Sequence, residues 1–167
     1  MNCERYIRPA TLHDVGAIMP VITAAKQTMR RNGNTHQWAD GYPSAAAIEC
    51  DISSSGGYVI SERAEIIGYF AMLPSPEPTY DVIYNGEWLN DSLPYLVIHR
   101  IAGLPGRRGI LHDIIRFAAS HCPNIRIDTH RDNIIMQHCL QKEGFTHCGI
   151  ILLANGDERL AYQKLFS

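Results

Sequence analysis

Residues 93–101 are mostly apolar, Gly103-Leu-Pro-Gly-Arg-Arg-Gly109 follows almost at once, and helical spacing of apolar residues begins at Ile110. A strand that ends in a glycine-punctuated turn and feeds a helix restricts the fold more than any other feature of the chain. The first N–H groups of such a helix have no acceptors within it and point over the turn, where an anion is stabilised. Glycines let a ligand approach the backbone closely. Arg107 and Arg108 add positive charge inside the turn. Together these features predict a phosphate-bearing ligand.

Period and punctuation place the other elements. Residues 6–10 read as a short strand. Thr11 caps a helix, with Asp14 completing a capping-box variant. Val15, Ile18, Met19, Ile22, Ala25 and Met29 keep helical spacing up to Gly33, and Pro20 is expected to kink or divide that helix. Residues 34–57 are rich in turns and aromatics, with a helical patch near 45–51. Residues 58–61 and 66–73 form a hairpin across Glu62-Arg-Ala-Glu65. Pro74-Ser-Pro-Glu-Pro78 is a rigid break before an irregular insert at 79–90. Beyond the glycine turn, Ile110, Leu111, Ile114, Ile115 and Ala118 make one apolar helix face that ends before Pro123. A strand at 125–130 leads to Asp132-Asn133, which cap a helix stopped by Gly144. Residues 146–153 and 158–166 close the chain as a hairpin around Asn155-Gly156. The order β-α-(α)-β-β-β-α-β-α-β-β predicts an α/β chain, a mixed sheet with helices on both faces, in a single domain over 1–167.

Bulk properties exclude several classes. A formal net charge of −2 and the lack of a basic stripe argue against nucleic acid. No window approaches the ~18 apolar residues of a membrane span. Met1-Asn-Cys-Glu-Arg-Tyr-Ile has no apolar signal core, so a cytoplasmic location is expected. The five cysteines include no CxxC pair and read as reduced thiols. His121-Cys122, His138-Cys139 and His147-Cys148 do not have zinc-ligand spacing, because adjacent side chains diverge on helix and strand alike. No metal is expected.

Two nucleotide motifs fail. A Walker A loop needs a terminal Lys-Ser/Thr, whereas Gly109 is followed by Ile110-Leu111-His112. A dinucleotide fingerprint needs a parallel βαβ unit near its start; Asp128 has the right offset from Gly109, but the preceding hairpin does not fit. The pattern instead resembles the GCN5-related N-acetyltransferases (GNAT). In that family a central strand ends in Gln/Arg-x-x-Gly-x-Gly/Ala, which opens a helix around the pyrophosphate of acetyl-CoA. The matching segment is Gly106-Arg-Arg-Gly-Ile-Leu111, in which Gly109 keeps the consensus while Gly106 and Leu111 depart from it. Asn133 and Gly144-Phe145, before a closing strand, match the family's second half.

The resemblance implies a GNAT-like, mostly antiparallel mixed sheet and acetyl transfer from acetyl-CoA to a primary amine of a small molecule or peptide by direct attack. The alternative is a non-catalytic acyl-CoA-binding sensor of the same fold. It implies that Ile101 and Ala102 lie near the thioester, that Gly106, Arg107, Arg108, Gly109 and His112 lie near the diphosphate, and that Asn133 contributes to the cofactor site. Many relatives place a tyrosine acid seven residues after that asparagine. Here the position is Leu140, so the role falls to another tyrosine, to water or to nothing; Tyr162 is either that substitute or a core-packing residue.

Other candidates come from residue chemistry. His99 leads as general base, because an imidazole titrates near neutrality. Alternation puts it on one face with Tyr95, Val97 and Ile101, and Arg100 on the other. Asp128 and His130 share a face of the next strand with Arg126; Asp128 orients His130, binds a cationic substrate, or makes a structural ion pair. Trp38, Tyr42, Tyr84 and Trp88 supply aromatic surface for the acceptor or close the core. Glu87 and Asp81 suit an amine or are simply solvated. Cys139 offers a ping-pong nucleophile without an evident base. A monomer or a homodimer fits equally.

Overall fold

A computed structural model describes residues 4–167, so Cys3 and the first three residues of the stretch read for a signal lie outside the described residues. Arg5–Pro9 (β1), Gly57–Glu62 (β2), Glu65–Pro74 (β3), Leu96–Gly103 (β4), Asn124–Thr129 (β5), Thr146–Leu152 (β6) and Glu158–Leu165 (β7) form one sheet. Its order is β1-β2-β3-β4-β5-β7-β6. Neighbours run antiparallel except β4 and β5, which are parallel. The helices are Val15–Arg31 (α1), Ala45–Ser53 (α2), Ile110–Ala119 (α3) and Ile134–Lys142 (α4). This is the mixed, mostly antiparallel α/β sheet expected from the sequence. Among the described residues, no helix is long and apolar enough to cross a membrane.

Helices cover both faces. Ile18, Val21 and Ile22 of α1 and Ile48 of α2 pack on Val59, Tyr69 and Ala102. Ile110, Ile114 and Ile115 of α3 and Leu140 of α4 pack on Ile60, Phe70, Ile98 and Ile127. Tyr80 and Trp88 of the insert form a third cluster with Val97, Ile151 and Ala161. Because Val97 alternates with Ile98 and Ala161 with Tyr162, this cluster extends the α1/α2 face.

The structure corrects two expectations. First, α1 runs unbroken through Pro20. The proline removes one hydrogen bond, to the Gly16 carbonyl. Ile18, Val21, Ile22 and Ala25 are buried on either side of it, and burial of such side chains at roughly 1.5–3 kcal/mol for each of the larger ones holds the helix together. Second, β4 begins at Leu96, not at 93, since Pro94 has no N–H for a ladder, and it continues to Gly103 with a bulge. Ala71 pairs with His99 and Tyr69 with Ala102, leaving Arg100 and Ile101 opposite one residue. Arg100 takes the left-handed conformation at φ 52°. The extra residue breaks strict alternation. Arg100 therefore reaches α2, as His99's face does, and Ile101 packs towards α3 and α4.

Candidate active site

The two parallel strands hold together only briefly. β4 and β5 pair at Leu96–Ile125, Val97–Arg126 and Ile98–Ile127, then separate. Beyond Ile98, β4 stays with β3, while β5 stays with β7 as far as Thr129. The gap opens a cavity of about 660 Å³, within the usual range for small-ligand sites. His99, Arg100 and Ile101 line one wall, Asp128 and Thr129 the other, and Gln37, Trp38 and Tyr42 from the α1–α2 connection contribute as well.

His99 sits between two carboxylates. Its Nε2 is 3.4 Å from Glu77 Oε2, and its Nδ1 is 3.9 Å from Asp128 Oδ2. The His99 ring holds the Glu77 carboxyl down to about 2; burial opposes this, and the Thr79 hydroxyl and N–H assist it. Asp128 accepts a hydrogen bond from the Tyr80 hydroxyl at 2.6 Å, and that phenol is pushed well above its usual value by burial and by the Asp128 charge. Asp128 thus faces His99 and Tyr80. His130 is oriented differently: its Nδ1 accepts the Asp132 N–H at 3.0 Å, and its ring stacks on His36. Burial, then the charge of Arg159, lowers the His130 imidazole below its usual range.

Behind this group, the bulge is locked by an ion pair. Arg100 Nε donates to Asp51 Oδ2 at 2.7 Å, and Nη2 donates to Asp51 Oδ1. Tyr69 donates its hydroxyl to the same carboxylate at 2.7 Å, and Arg100 Nη1 donates to the Tyr42 hydroxyl at 3.1 Å. A non-glycine residue in the left-handed region is strained by roughly 1–2 kcal/mol. The bidentate contact to buried Asp51 offsets that cost and fixes Tyr42 at the cavity mouth.

A second cavity, of about 310 Å³, lies over the glycine turn, between Gly103, Gly106 and Arg107 on one side and Ile134, Ile135 and Cys139 of α4 on the other. Gly109 is the N-cap of α3 at φ 78° and supplies no side chain to its amides. Gly106 is also left-handed, with nothing within 4 Å of the position a Cβ would take. Uncapped amides beside an open backbone fit a diphosphate. Arg107 reaches this groove but is already paired with Glu62 and Glu65, each at 3.1 Å. Both cavities include Met29, Ile101, Asn133 and Met136 in their walls, so they meet there. Asn133 caps α4 by accepting from the Met136 N–H, and its Nδ2 donates to Gln37 Oε1 at 3.0 Å.

The sequence-derived candidates divide accordingly. His99, Ile101, Asp128, Asn133, Trp38 and Tyr42 come together at the main cavity, and Gly106, Arg107 and Gly109 at the turn. Several others do not reach either cavity wall. Tyr162 faces the α3/α4 core beside Ile127, on the sheet face away from His99. Leu140 is fully buried in that same core. Trp88 is buried against Tyr80 and stacks on the Arg126 guanidinium at 3.9 Å. Tyr84 is half exposed and bridges to Ile150. Ala102 is buried under α1. The Arg108 carbonyl accepts from Arg5, and His112 turns to Glu143 at 3.1 Å. Asp81 and Glu87 are exposed outside both cavities. Sequence reasoning passed over Glu77, Gln37, Asp51 and Arg159. Glu77, alone among the prolines of Pro74–Pro78, carried the clearest signal, an ionisable group on a rigid segment.

No protein-family model matches the chain, and no curated protein matches its sequence. Solved structures do. A GNAT-family acetyltransferase from Streptococcus agalactiae 2603 is 35% identical over 99% of each chain, with a TM-score of 0.89. The chain belongs to the GNAT family. Two more distant structures share the fold: a GNAT-family acetyltransferase from Listeria monocytogenes 4b F2365 (21% identical, 98% of this chain and 96% of that one, TM-score 0.71) and one from Bacillus cereus ATCC 10987 (18% identical, 98% and 99%, TM-score 0.64). This GNAT fold is one of acyl transfer from acyl-CoA. Among the described residues, no group of three His, Cys, Asp or Glu side chains is placed to hold a metal ion.

Proposed function

We propose that this GNAT protein transfers an acetyl group from acetyl-CoA to a primary amine, by direct attack, in the cleft where β4 and β5 part. The observation that carries this reading is the meeting of the two cavities at Ile101 and Asn133, with His99 on the wall of the larger one. A diphosphate held by the α3 amides and the open backbone at Gly106 and Gly109 directs the pantetheine arm along β4 towards that meeting point.

His99 is the proposed base. It takes the proton that the amine loses as its nitrogen adds to the thioester carbonyl. Glu77 and Asp128 flank the ring, orient it and stabilise the imidazolium that forms. Collapse of the tetrahedral adduct breaks the carbon–sulfur bond, giving the amide and the CoA thiolate, which takes up a proton from the His99 imidazolium or from water to leave as the thiol. Beyond Ile98, the edge of β4 that faces the gap is unpaired by β5, so its backbone N–H groups are free to polarise the acyl oxygen.

The same fold would also serve a sensor that binds acyl-CoA without turnover, a reading favoured by Leu140, which leaves no acid at the position many relatives use. Thermal stabilisation by CoA and acetyl-CoA, followed by thiol release with a panel of amines, separates the two. Stabilisation with thiol release supports the transferase; stabilisation with no release from any amine supports the sensor. No shift at millimolar CoA rejects both, because binding to the native state requires one.

A further inference from the structure

Three arginines, one each on β4, β5 and β7, have guanidinium groups largely withdrawn from solvent, and two are neutralised. Arg100 is paired with Asp51. Arg126 is paired with Asp91 and lies between the Trp88 and Tyr95 rings, 3.9 Å from each centroid. Arg159 is different. It is 6% exposed and lines the acceptor cavity. Its hydrogen bond runs from Nη1 to the Glu158 carbonyl at 2.9 Å, and among the described residues no carboxylate lies within ion-pair distance of it. Asp157, which also lines the cavity, instead accepts from Asn155. A guanidinium has five donors, and burying it without an anion is costly. Its uncompensated charge also reaches its neighbours, since it is one of the causes lowering the His130 imidazole.

Arg159 stands at the start of β7. Its neighbour Leu160 pairs with Thr129, and Ala161 pairs with Asp128. Ala161 belongs to the same cluster as Tyr80 and Val97, so Arg159, two residues earlier, faces the His99 side of the sheet. One cavity is thus lined by an unmatched cation and by the carboxylates Glu77 and Asp128 beside the base. A zwitterion complements that pattern, with its ammonium towards the carboxylates and its anion on the guanidinium.

We infer that the acceptor is a free amino acid whose carboxylate binds Arg159 as its amine meets His99. This rests on the acyl-transfer reading of the cleft and narrows its acceptor. The carboxylate takes the fork of Nη and Nε donors bidentately, which positions the amine as well as binding it. A site built for a hydrogen-bonding group discriminates strongly against analogues lacking it.

The test pairs free amino acids with their decarboxylated amines (lysine with cadaverine, histidine with histamine, phenylalanine with phenethylamine), and adds phosphoethanolamine as an amine carrying phosphate. CoA thiol release and thermal stabilisation in the presence of CoA are measured for wild type, Arg159→Gln and Arg159→Lys. The inference predicts that at least one amino acid exceeds its decarboxylated partner by about 100-fold or more in kcat/KM. Arg159→Gln should erase that ratio by lowering the amino acid alone, and Arg159→Lys should restore part of it. An unchanged CoA-induced shift in each variant shows that the fold and the cofactor groove survive. Equal use of both members of every pair, an equal loss for both in Arg159→Gln, or preference for phosphoethanolamine over every carboxylate would overturn the inference while leaving acyl transfer standing. Stabilisation by amino acids that depends on Arg159, with no thiol release, would support the anion site and reject the transferase.

Discussion

The bulge at Arg100 depends on one ion pair, and removing its charge should be felt in both stability and turnover. The Asp51 and Arg100 side chains are 7% and 17% exposed, and the carboxylate also accepts from Tyr69. Asp51→Asn keeps the shape but leaves the guanidinium without an anion. Stranding one partner of a buried pair costs about 3–5 kcal/mol. At roughly 2–4 °C per kcal/mol for a chain of this size, the lower figure corresponds to a fall in melting temperature of about 6–12 °C. Arg100→Leu should cost a comparable amount, since it strands Asp51. The double variant should lose less than the sum by at least about 2 kcal/mol, because with both charges gone neither side chain leaves an unpaired buried charge. Urea unfolding of the four proteins at neutral pH gives the coupling energy. Additive losses within about 0.5 kcal/mol would refute the coupling. A wild-type rate of thiol release in Asp51→Asn would show that the bulge does not position the cleft.

Gly109→Val places a β-branched residue at φ 78°, a strained conformation, although its Cβ would meet nothing closer than Arg5 at 3.7 Å. The CoA-induced thermal shift should vanish while the apo protein stays folded; an unchanged shift would mean the diphosphate sits elsewhere. His99→Gln should lower kcat by about 10²–10⁴-fold and remove the acidic limb of the rate profile, whereas a uniform loss across pH would deny it the role of base. Glu77 and Asp14, both held down to about 2, contribute stability that is present above their ordinary values of 4.5 and 3.8 and is lost as pH falls towards 2. Glu77→Gln should therefore flatten the acid limb of stability over that window, and an acid limb as steep as wild type would contradict the His99–Glu77 contact.

Much of the frame was legible because local signals agreed with one another. The glycine turn lies where strand-to-helix punctuation put it, with Gly109 as N-cap. The Thr11–Asp14 capping box is present, with the Thr11 N–H 2.7 Å from Asp14 Oδ2. Asn133 caps α4. What escaped was set by tertiary contacts. Nothing in the local sequence marks an arginine for the left-handed region, since it is stabilised by Asp51, which lies far away in the chain. Tyr162 could not be assigned a face, because Leu160 through Gln163 are mostly buried and β7 lacks the alternation that reveals one. Glu77 and Arg159 acquire meaning only when the sheet brings separate segments to one cavity.

Direct attack requires both substrates to occupy the adjoining cavities at once, which initial-rate kinetics read out. With acetyl-CoA and an accepted amine varied together, double-reciprocal lines should intersect and mass spectrometry should find no acetylated enzyme. Parallel lines, with an acetyl group carried on Cys139 or another side chain, would contradict it.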